Sequence, residues 1–118
     1  MDALLLDGVA RARLSTATLH APDLIDAEVL SVLRRLVLAG SLTEADGRKA
    51  LNVAGRLGLR RHPIRSLWQR AWELRTNVSA YDALYVALAE QLEVPLLTSD
   101  GRTSRAPGIN CPVELLEP

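Results

Sequence analysis

The chain has almost no cysteine and no excess of charge of either sign. Its single cysteine, Cys111, excludes a disulfide bond within the chain and is typical of a protein in a reducing cytosol. The chain carries 14 basic and 14 acidic residues, so no overall positive charge would draw it onto nucleic acid or a membrane. Any binding to a polyanion must therefore depend on local clusters of arginine.

Long apolar segments are also missing. No apolar run approaches the roughly 18 residues that a membrane-spanning helix needs. The N-terminus has an early acid, Asp2, and lacks the basic region with which a secretory signal begins. Together with the single cysteine, these absences predict a soluble cytoplasmic protein that does not bind membranes.

The sequence does contain enough apolar surface for one folded domain. Hydrophobic residues make up 48% of the 118 residues, which predicts a single domain over residues 1–118 with a modest core. Apolar residues recur at helical spacing in four segments, and short apolar runs lie between them. The predicted helices cover residues 23–39, 43–58, 64–75 and 79–92, and the predicted strands cover residues 17–20, 59–62, 95–98 and 113–116. This alternation predicts an α/β fold with a small parallel sheet.

Two acids lie where such a fold brings chain ends together. Asp82 begins the apolar helix 79–92, and Asp100 follows the strand 95–98. A helix and the strand after it can meet at the rim formed by the C-terminal ends of parallel strands, where open α/β folds bind ligands. Two acids at that rim predict a divalent-cation site.

Each candidate acid also has a purely structural interpretation. Ser79-Ala80-Tyr81-Asp82 matches a helix-capping pattern in which an early acid favours the helix dipole, and this role is favoured for Asp82 taken alone. Ser99-Asp100-Gly101 is an ordinary turn after a strand. Glu28, the third candidate, lies at the margin of an apolar helical stripe, where a glutamate usually pairs with an arginine such as Arg35.

Three such acids in one small domain favour a shared role. Clustered carboxylates repel one another, and burial would raise their pKa values unless a cation neutralised them. Mg²⁺ fits this role because it takes oxygen ligands and retains waters for a substrate phosphate. The candidate metal ligands are therefore Glu28, Asp82 and Asp100.

The segments around these acids together resemble a known family. Residues 26–35 begin Asp-Ala-Glu, residues 81–90 begin Tyr-Asp-Ala, and residues 97–102 read Leu-Thr-Ser-Asp-Gly-Arg. They resemble the PIN domain, and most closely the toxin ribonucleases of VapBC toxin–antitoxin pairs. The resemblance covers nearly the whole chain, including His20-Ala21-Pro22 and the closing strand. The tyrosine–aspartate helix followed by a Thr-x-Asp strand end is a fairly specific combination.

The resemblance implies a PIN-like fold, with a small parallel sheet sandwiched by helices, and a metal-dependent endoribonuclease. Glu28, Asp82 and Asp100 match three metal-binding acids of the family, and Thr98 matches the hydroxyl beside the last of them. The implied reaction is hydrolysis of an RNA phosphodiester by a water that Mg²⁺, or alternatively Mn²⁺, activates. A VapB-type antitoxin is the implied protein partner.

The helix 23–39 has more apolar surface than one core needs. Its surplus residues, Leu30, Val37 and Leu38, are expected to contact either a second copy in a homodimer or a helix of the antitoxin. The alternative is that they are buried against the helix 43–58.

The chain departs from the family pattern at its N-terminus. The family opens with an apolar strand that ends in its first metal-binding aspartate, and the sequence shows no such strand before Asp2. We match Met1–Gly8 to the helix after that strand, where Asp2 and Asp7 are surface acids. Two interpretations remain, a start upstream of Met1 and a truncated relative with impaired catalysis, and the first is favoured. A weakened metal site is expected, and the alternative function is that of a partner-binding protein without catalysis.

The remaining polar and aromatic motifs are less specific. Arg102 and Arg105 are expected either to meet RNA phosphates or to lie in solvent. Trp68 and Trp72, four residues apart, are expected to pack in the core rather than to stack on bases. The absence of a Gly-rich phosphate loop disfavours a flavodoxin-like binder of small ligands.

One further cluster is basic. Arg60, Arg61 and Arg65 surround His62 and are expected to form a solvated face. His20 and His62 lack the spacing of metal ligands, so no catalytic work is assigned to them.

Overall fold

The structure, a computed structural model, describes residues 18–116 of the chain. The strands are β1 (Leu19–Pro22), β2 (Leu59–His62), β3 (Leu96–Thr98) and β4 (Val113–Leu115). The helices are α1 (Ile25–Leu38), α2 (Glu44–Arg56), α3 (Trp68–Glu73), α4 (Ala80–Leu92) and α5 (Gly101–Arg105), and a 3₁₀ turn, Arg65–Leu67, leads into α3. The predicted α/β alternation is confirmed. The helix expected over Met1–Gly8, with Asp2 and Asp7, lies outside the described residues.

The strands pair in parallel, as the alternation predicts, but they form two separate pairs. β1 pairs with β2 from Leu19 opposite Leu59 to Pro22 opposite His62. β3 pairs with β4 from Leu96 opposite Val113 to Thr98 opposite Leu115. Within residues 18–116 the expected single sheet is therefore two two-stranded parallel sheets.

β1 runs two residues further than the predicted strand, which was expected to stop before Pro22. The backbone N–H of Asp23 donates to the carbonyl of His62 at 2.8 Å, so that amide faces β2. Because successive amides of a strand point to opposite sides, the nitrogen of Pro22 faces away from β2. Its missing N–H therefore costs no hydrogen bond between the two strands.

Several helix boundaries also differ from the predicted ones. Asp23 is held in the turn by His62, so α1 begins at Ile25 rather than at Asp23. The predicted helix 64–75 starts as a tighter turn, in which the N–H of Leu67 donates to the carbonyl of Ile64 at 2.8 Å. Helix α5 was not predicted, because five residues show no apolar period.

The core of the molecule is organised around α4. This helix is apolar on nearly every face, which is typical of a helix that is surrounded by protein. Val86 and Ala89 pack with Leu74 of the segment after α3 and with Leu96 of β3. On another face, Ala87 and Leu88 pack against Leu67. The core continues through Tyr85 to a third buried cluster that α1 and β1 share.

Helices α1 and α2 pack closely because one residue at their contact is a glycine. A Cβ atom at Gly47 would lie only 2.7 Å from Cγ2 of Val37, so no larger residue fits there without a shift of Val37. Val37 is therefore half-buried against α2, which was the alternative for the surplus apolar residues. Leu30 and Leu38 remain 57% and 69% exposed.

The expectation that both tryptophans lie in the core is wrong. Trp68 is 58% exposed and Trp72 is 68% exposed. Their helix α3 has no fully buried residue, because Leu67 before it and Leu74 after it make the buried contacts. None of the helices between residues 18 and 116 is long and apolar enough to cross a membrane.

An arginine–glutamate pair ties three parts of the chain together. Arg70 of α3 donates to both carboxylate oxygens of Glu90 in α4, at 2.6 and 3.0 Å, and to the carbonyl of Gly108 at 2.6 Å. Glu90 also accepts from the backbone N–H of Asn110 at 2.7 Å. The Glu90 side chain is only 13% exposed, so the network holds the segment before β4 against α3 and α4.

This network makes stability depend on pH. The hydrogen bond from Arg70 lowers the pKa of Glu90, with smaller contributions from the amide of Asn110 and the charge of Arg70. A carboxyl whose pKa is depressed by folding stabilises the protein above its ordinary value of 4.5, and this stabilisation is lost as the pH falls below that value. We expect Glu90→Gln to lower the free energy of unfolding at neutral pH by about 2 kcal/mol, the size of hydrogen bonds to a charged group.

The measurement is urea unfolding of both proteins from neutral to acid pH. The difference between wild type and Glu90→Gln should shrink as the pH falls below 4.5. Glu73→Gln is the matched control, because Glu73 binds the same Arg70 at 3.1 Å but is 63% exposed. An equal loss in both variants, or a difference for Glu90→Gln that does not change with pH, would contradict this account.

Candidate metal centre

Asp82 lies in the first turn of α4, where the helix meets the end of β3. Glu93 ends α4 in the left-handed conformation, and the N–H of Val94 donates to the carbonyl of Ala89 at 3.0 Å. The charge of Asp82 acts on Arg102, which follows β3, so the beginning of α4 lies near the end of β3. Ser79 is the N-cap of α4, and its side-chain oxygen accepts the backbone N–H of Asp82 at 3.2 Å. This cap uses the backbone of Asp82 and not its side chain. The carboxylate of Asp82 is half-buried.

Glu28 lies in the first turn of α1, just beyond the end of β1. Its side chain is half-buried, and Oε1 accepts a hydrogen bond from the phenol of Tyr85 in α4 at 2.6 Å. Glu28 was expected to pair with an arginine such as Arg35, but the structure shows a contact with Tyr85. Its partner is instead a neutral hydroxyl from the helix that carries Asp82.

Asp100 lies at the end of β3 and caps α5. Its Oδ1 accepts the backbone N–H of Arg102 at 2.8 Å, and its two oxygens lie 3.3 Å from the guanidinium of the same arginine. The Oγ1 of Thr98 accepts the backbone N–H of Asp100 at 3.0 Å. The segment Ser99-Asp100-Gly101, expected as a turn after the strand, instead leads directly into α5 with Asp100 as its N-cap.

The charge of Asp82 reaches both neighbouring groups. Burial raises the pKa of the Tyr85 phenol, and so do its hydrogen bond to Glu28 and the negative charges of Glu28, Asp82 and Asp26. The hydrogen bond to Asp100 raises the pKa of Arg102, and the charges of Asp100 and Asp82 add to this effect. Asp82 therefore lies within electrostatic range of the partner of Glu28 and of the partner of Asp100.

Two nearby arginines, Arg102 and Arg105, act on the carboxylate of Asp100. The side-chain hydrogen bond from Arg102 holds the pKa of this carboxyl below its ordinary value, helped by the backbone N–H of Arg102 and by the charges of Arg102 and Arg105. Arg102 is 87% exposed, so its ion pair with Asp100 is screened by water. Asp100 can therefore exchange this partner for another cation at little cost.

The donors fit a hard divalent cation in kind, because all are carboxylates or hydroxyls. Between residues 18 and 116, however, no three histidine, cysteine, aspartate or glutamate side chains are arranged so that they could hold one metal ion. Glu28 and Asp100 turn toward Tyr85 and Arg102 instead. The assignment of Glu28, Asp82, Asp100 and Thr98 to one metal site thus stays a prediction.

The basic patch expected around His62 consists partly of paired arginines. Arg61 forms a two-pronged ion pair with Asp26 of α1, with donor–acceptor distances of 2.8 to 3.0 Å. The guanidinium of Arg65 lies 5.4 Å from the ring centre of Trp68. His62 contacts His20 across β1 and β2, with Nδ1 of His20 2.9 Å from Nε2 of His62.

The sequence reasoning missed Tyr85. A residue three positions after Asp82 lies on the same side of a helix, so the spacing placed Tyr85 beside the candidate ligand. In the sequence Tyr85 is one residue of the apolar helix 79–92, and nothing in the run sets its hydroxyl apart. Its hydroxyl needs a partner when the ring is buried, and that requirement was the available signal.

Comparison of the sequence with known proteins identifies the family. The sequence pattern of the PIN domain family matches residues 6–109. The chain therefore belongs to the PIN domain family.

The particular relatives are ribonucleases by name. The chain is 47% identical over 116 residues to the VapC ribonuclease Mb0985 of Mycobacterium bovis, and this match covers 98% of the chain and 91% of the relative. The same figures hold for ribonuclease VapC9 of Mycobacterium tuberculosis H37Rv. Ribonuclease VapC1 of the same strain is 46% identical over 109 residues, which are 92% of the chain and 82% of that protein.

Proposed function

We propose that this protein is an endoribonuclease and the toxin component of a VapBC-type toxin–antitoxin pair. The observation that carries the proposal is its 47% identity to named VapC ribonucleases over 98% of the chain. The position of Asp82 also supports it, because the charge of Asp82 acts on Tyr85, the partner of Glu28, and on Arg102, the partner of Asp100. We further propose that residues 1–118 act as one domain and that the protein works in the cytoplasm.

Dependence on a divalent metal follows from membership of the PIN family. We propose Mg²⁺, for which Mn²⁺ can substitute, with Glu28, Asp82 and Asp100 as its ligands. When bound, the cation supplies positive charge that stabilises the negative phosphate and acidifies a water. The hydroxyl of Thr98 accepts the backbone N–H of Asp100 and so helps to position the Asp100 side chain. Asp100 would exchange the exposed Arg102 for the cation, and the released guanidinium would be available to bind an RNA phosphate.

A function without catalysis is the second candidate. One observation favours it. Among residues 18–116, no three histidine, cysteine, aspartate or glutamate side chains form a group that could hold a metal ion. In that case the fold would serve only to bind a partner. RNA cleavage by the purified chain separates the two candidates.

Asp82→Asn is the variant that tests the enzyme. It keeps the size of the side chain and removes the charge that a cation requires, so we expect cleavage of RNA in Mg²⁺ to fall by about 100-fold, as when a group that stabilises transition-state charge is lost. The measurement is the initial rate of cleavage of a labelled single-stranded RNA by the purified chain.

Asp46→Asn is the matched control. Asp46 lies in the first turn of α2, and its N–H donates to the N-cap Thr43 at 3.0 Å, just as the N–H of Asp82 donates to Ser79. If Asp82 only stabilises its helix, both variants should cleave alike. Equal rates in the wild type and Asp82→Asn would remove Asp82 from the active site.

The exposed leucines of α1 bear on the partner. We propose that the antitoxin is of the VapB type and that one of its helices covers Leu30 and Leu38, which are 57% and 69% exposed. Such an apolar surface on one helix suits an amphipathic partner helix. A separate surface is then needed for a homodimer.

We propose that the homodimer forms through the tryptophan cleft, defined by Trp68, Trp72, Arg75, Val78 and Leu84. This cleft has a volume of about 610 Å³ and lies between α3 and the beginning of α4. The guanidinium of Arg75 lies 4.7 Å from the ring centre of Trp72. A two-fold interface uses the same surface of both copies, and tryptophan and arginine are enriched at interface centres, so the exposed Trp72 of one copy is proposed to enter the cleft of the other.

Trp72→Ala is expected to weaken the homodimer by about 30-fold or more, the effect of losing one central interface residue. Sedimentation equilibrium of the purified chain measures the dissociation constant. Leu51→Ala is the control, because Leu51 is 41% exposed on α2, away from the cleft. An unchanged dissociation constant together with weaker binding of single-stranded RNA would show instead that the tryptophans stack on bases.

A further inference from the structure

Tyr85 connects two of the proposed metal ligands. It follows Asp82 by three residues on α4, so the two side chains share one side of the helix. Its hydroxyl reaches across to Glu28 on α1, 57 positions away in the chain. Tyr85 therefore lies on the side of α4 that carries Asp82, and it contacts the carboxylate of Glu28 on α1.

The ring of Tyr85 is held firmly. It packs against the buried cluster of Ala83, Val86 and Leu96 and also against the cluster of Ile25 and Val29. Side chains in such close-packed surroundings keep one rotamer. The position of the hydroxyl is therefore set by the core rather than by the surface.

The contact with Glu28 is short. The Oη–Oε1 distance of 2.6 Å falls in the range of hydrogen bonds from a hydroxyl to an ionised carboxylate. A glutamate side chain is flexible, and ordering it costs up to about 2 kcal/mol of rotamer entropy. A hydrogen bond from a fixed donor orders the carboxylate before any ligand arrives.

The neighbouring acid Asp26 shows why the neutral donor matters. Asp26 lies two residues before Glu28, and Arg61 neutralises its charge through a two-pronged ion pair. Tyr85 orients Glu28 without adding a positive charge, so the carboxylate keeps the charge that attracts a cation. Groups that hydrogen-bond to a metal ligand in this way fix its orientation.

We propose that Tyr85 is a positioning residue that holds the carboxylate of Glu28 toward Asp82 for a divalent cation. This inference rests on the proposed function, since it takes Glu28 and Asp82 to be ligands of one ion. Tyr85 itself contacts neither the ion nor the RNA in this account.

Calorimetric titration of the purified chain with Mn²⁺ tests the inference without any measurement of cleavage. We expect Tyr85→Phe, which keeps the ring and loses the hydroxyl, to weaken Mn²⁺ binding by about 10-fold or more, as is typical when a partner of a metal ligand is removed. Tyr81→Phe is the matched control, because Tyr81 is a tyrosine one turn earlier on α4 and is 64% exposed. It should leave the affinity unchanged.

Glu28→Gln and the double variant decide whether Tyr85 acts through Glu28. If it does, Tyr85→Phe should cause no further loss of affinity in the Glu28→Gln protein. An additional loss of the same size in that background, or wild-type affinity in Tyr85→Phe while Glu28→Gln binds weakly, would overturn the inference and leave the proposed site intact. Unchanged affinity in Glu28→Gln would instead remove Glu28 from the metal site itself.

Circular dichroism and thermal unfolding without metal complete the test. Tyr85→Phe should keep the wild-type fold because both core clusters keep the ring, and its unfolding temperature should fall by no more than the loss of one hydrogen bond explains. A variant that fails to fold would also contradict the inference, since the hydroxyl would then act on stability rather than on metal binding.

Discussion

The burial of α4 is the constraint on which the rest of the structure depends. This helix contacts β1, α3 and β3, and it supplies residues to clusters of the core on more than one of its faces. Its first turn carries Asp82, so the candidate ligand is placed by the packing of a whole helix. An acid on a loop would have no such support. Changes in the core are therefore expected to reach the site through α4.

Three acids around the candidate site have three different partners in the structure. Arg61 binds Asp26, Arg102 binds Asp100, and a neutral phenol holds Glu28. The ion pairs are exposed and easily exchanged, whereas the phenol is fixed in the core. In the proposed metal site, a cation would replace the exposed ion pair of Asp100, while the phenol would keep Glu28 in place. The network of Arg70 and Glu90 is the opposite case, because its carboxylate is covered and serves stability.

Much of the fold could be predicted from the sequence because its long helices have strong apolar periods. Helices α1, α2 and α4 and the parallel pairing of short strands were predicted. The ends of β1 and α1 were not predicted, because they depend on a hydrogen bond between Asp23 and His62 from distant segments. The exposure of Trp68 and Trp72 was also missed, since spacing shows which residues share a face but not which face is covered.

The candidate site was predicted in its residue types more than in its geometry. Glu28, Asp82, Asp100 and Thr98 stood out by position and resemblance, while Tyr85 and the partners of each carboxylate required three-dimensional contacts. Crystals of the chain grown with Mn²⁺, with the anomalous scattering of the metal recorded, test the central claim most directly. We predict one manganese peak about 2 Å from carboxylate oxygens of Glu28, Asp82 and Asp100. A well-ordered structure in which manganese binds elsewhere, with Asp100 still paired to Arg102, would contradict the account.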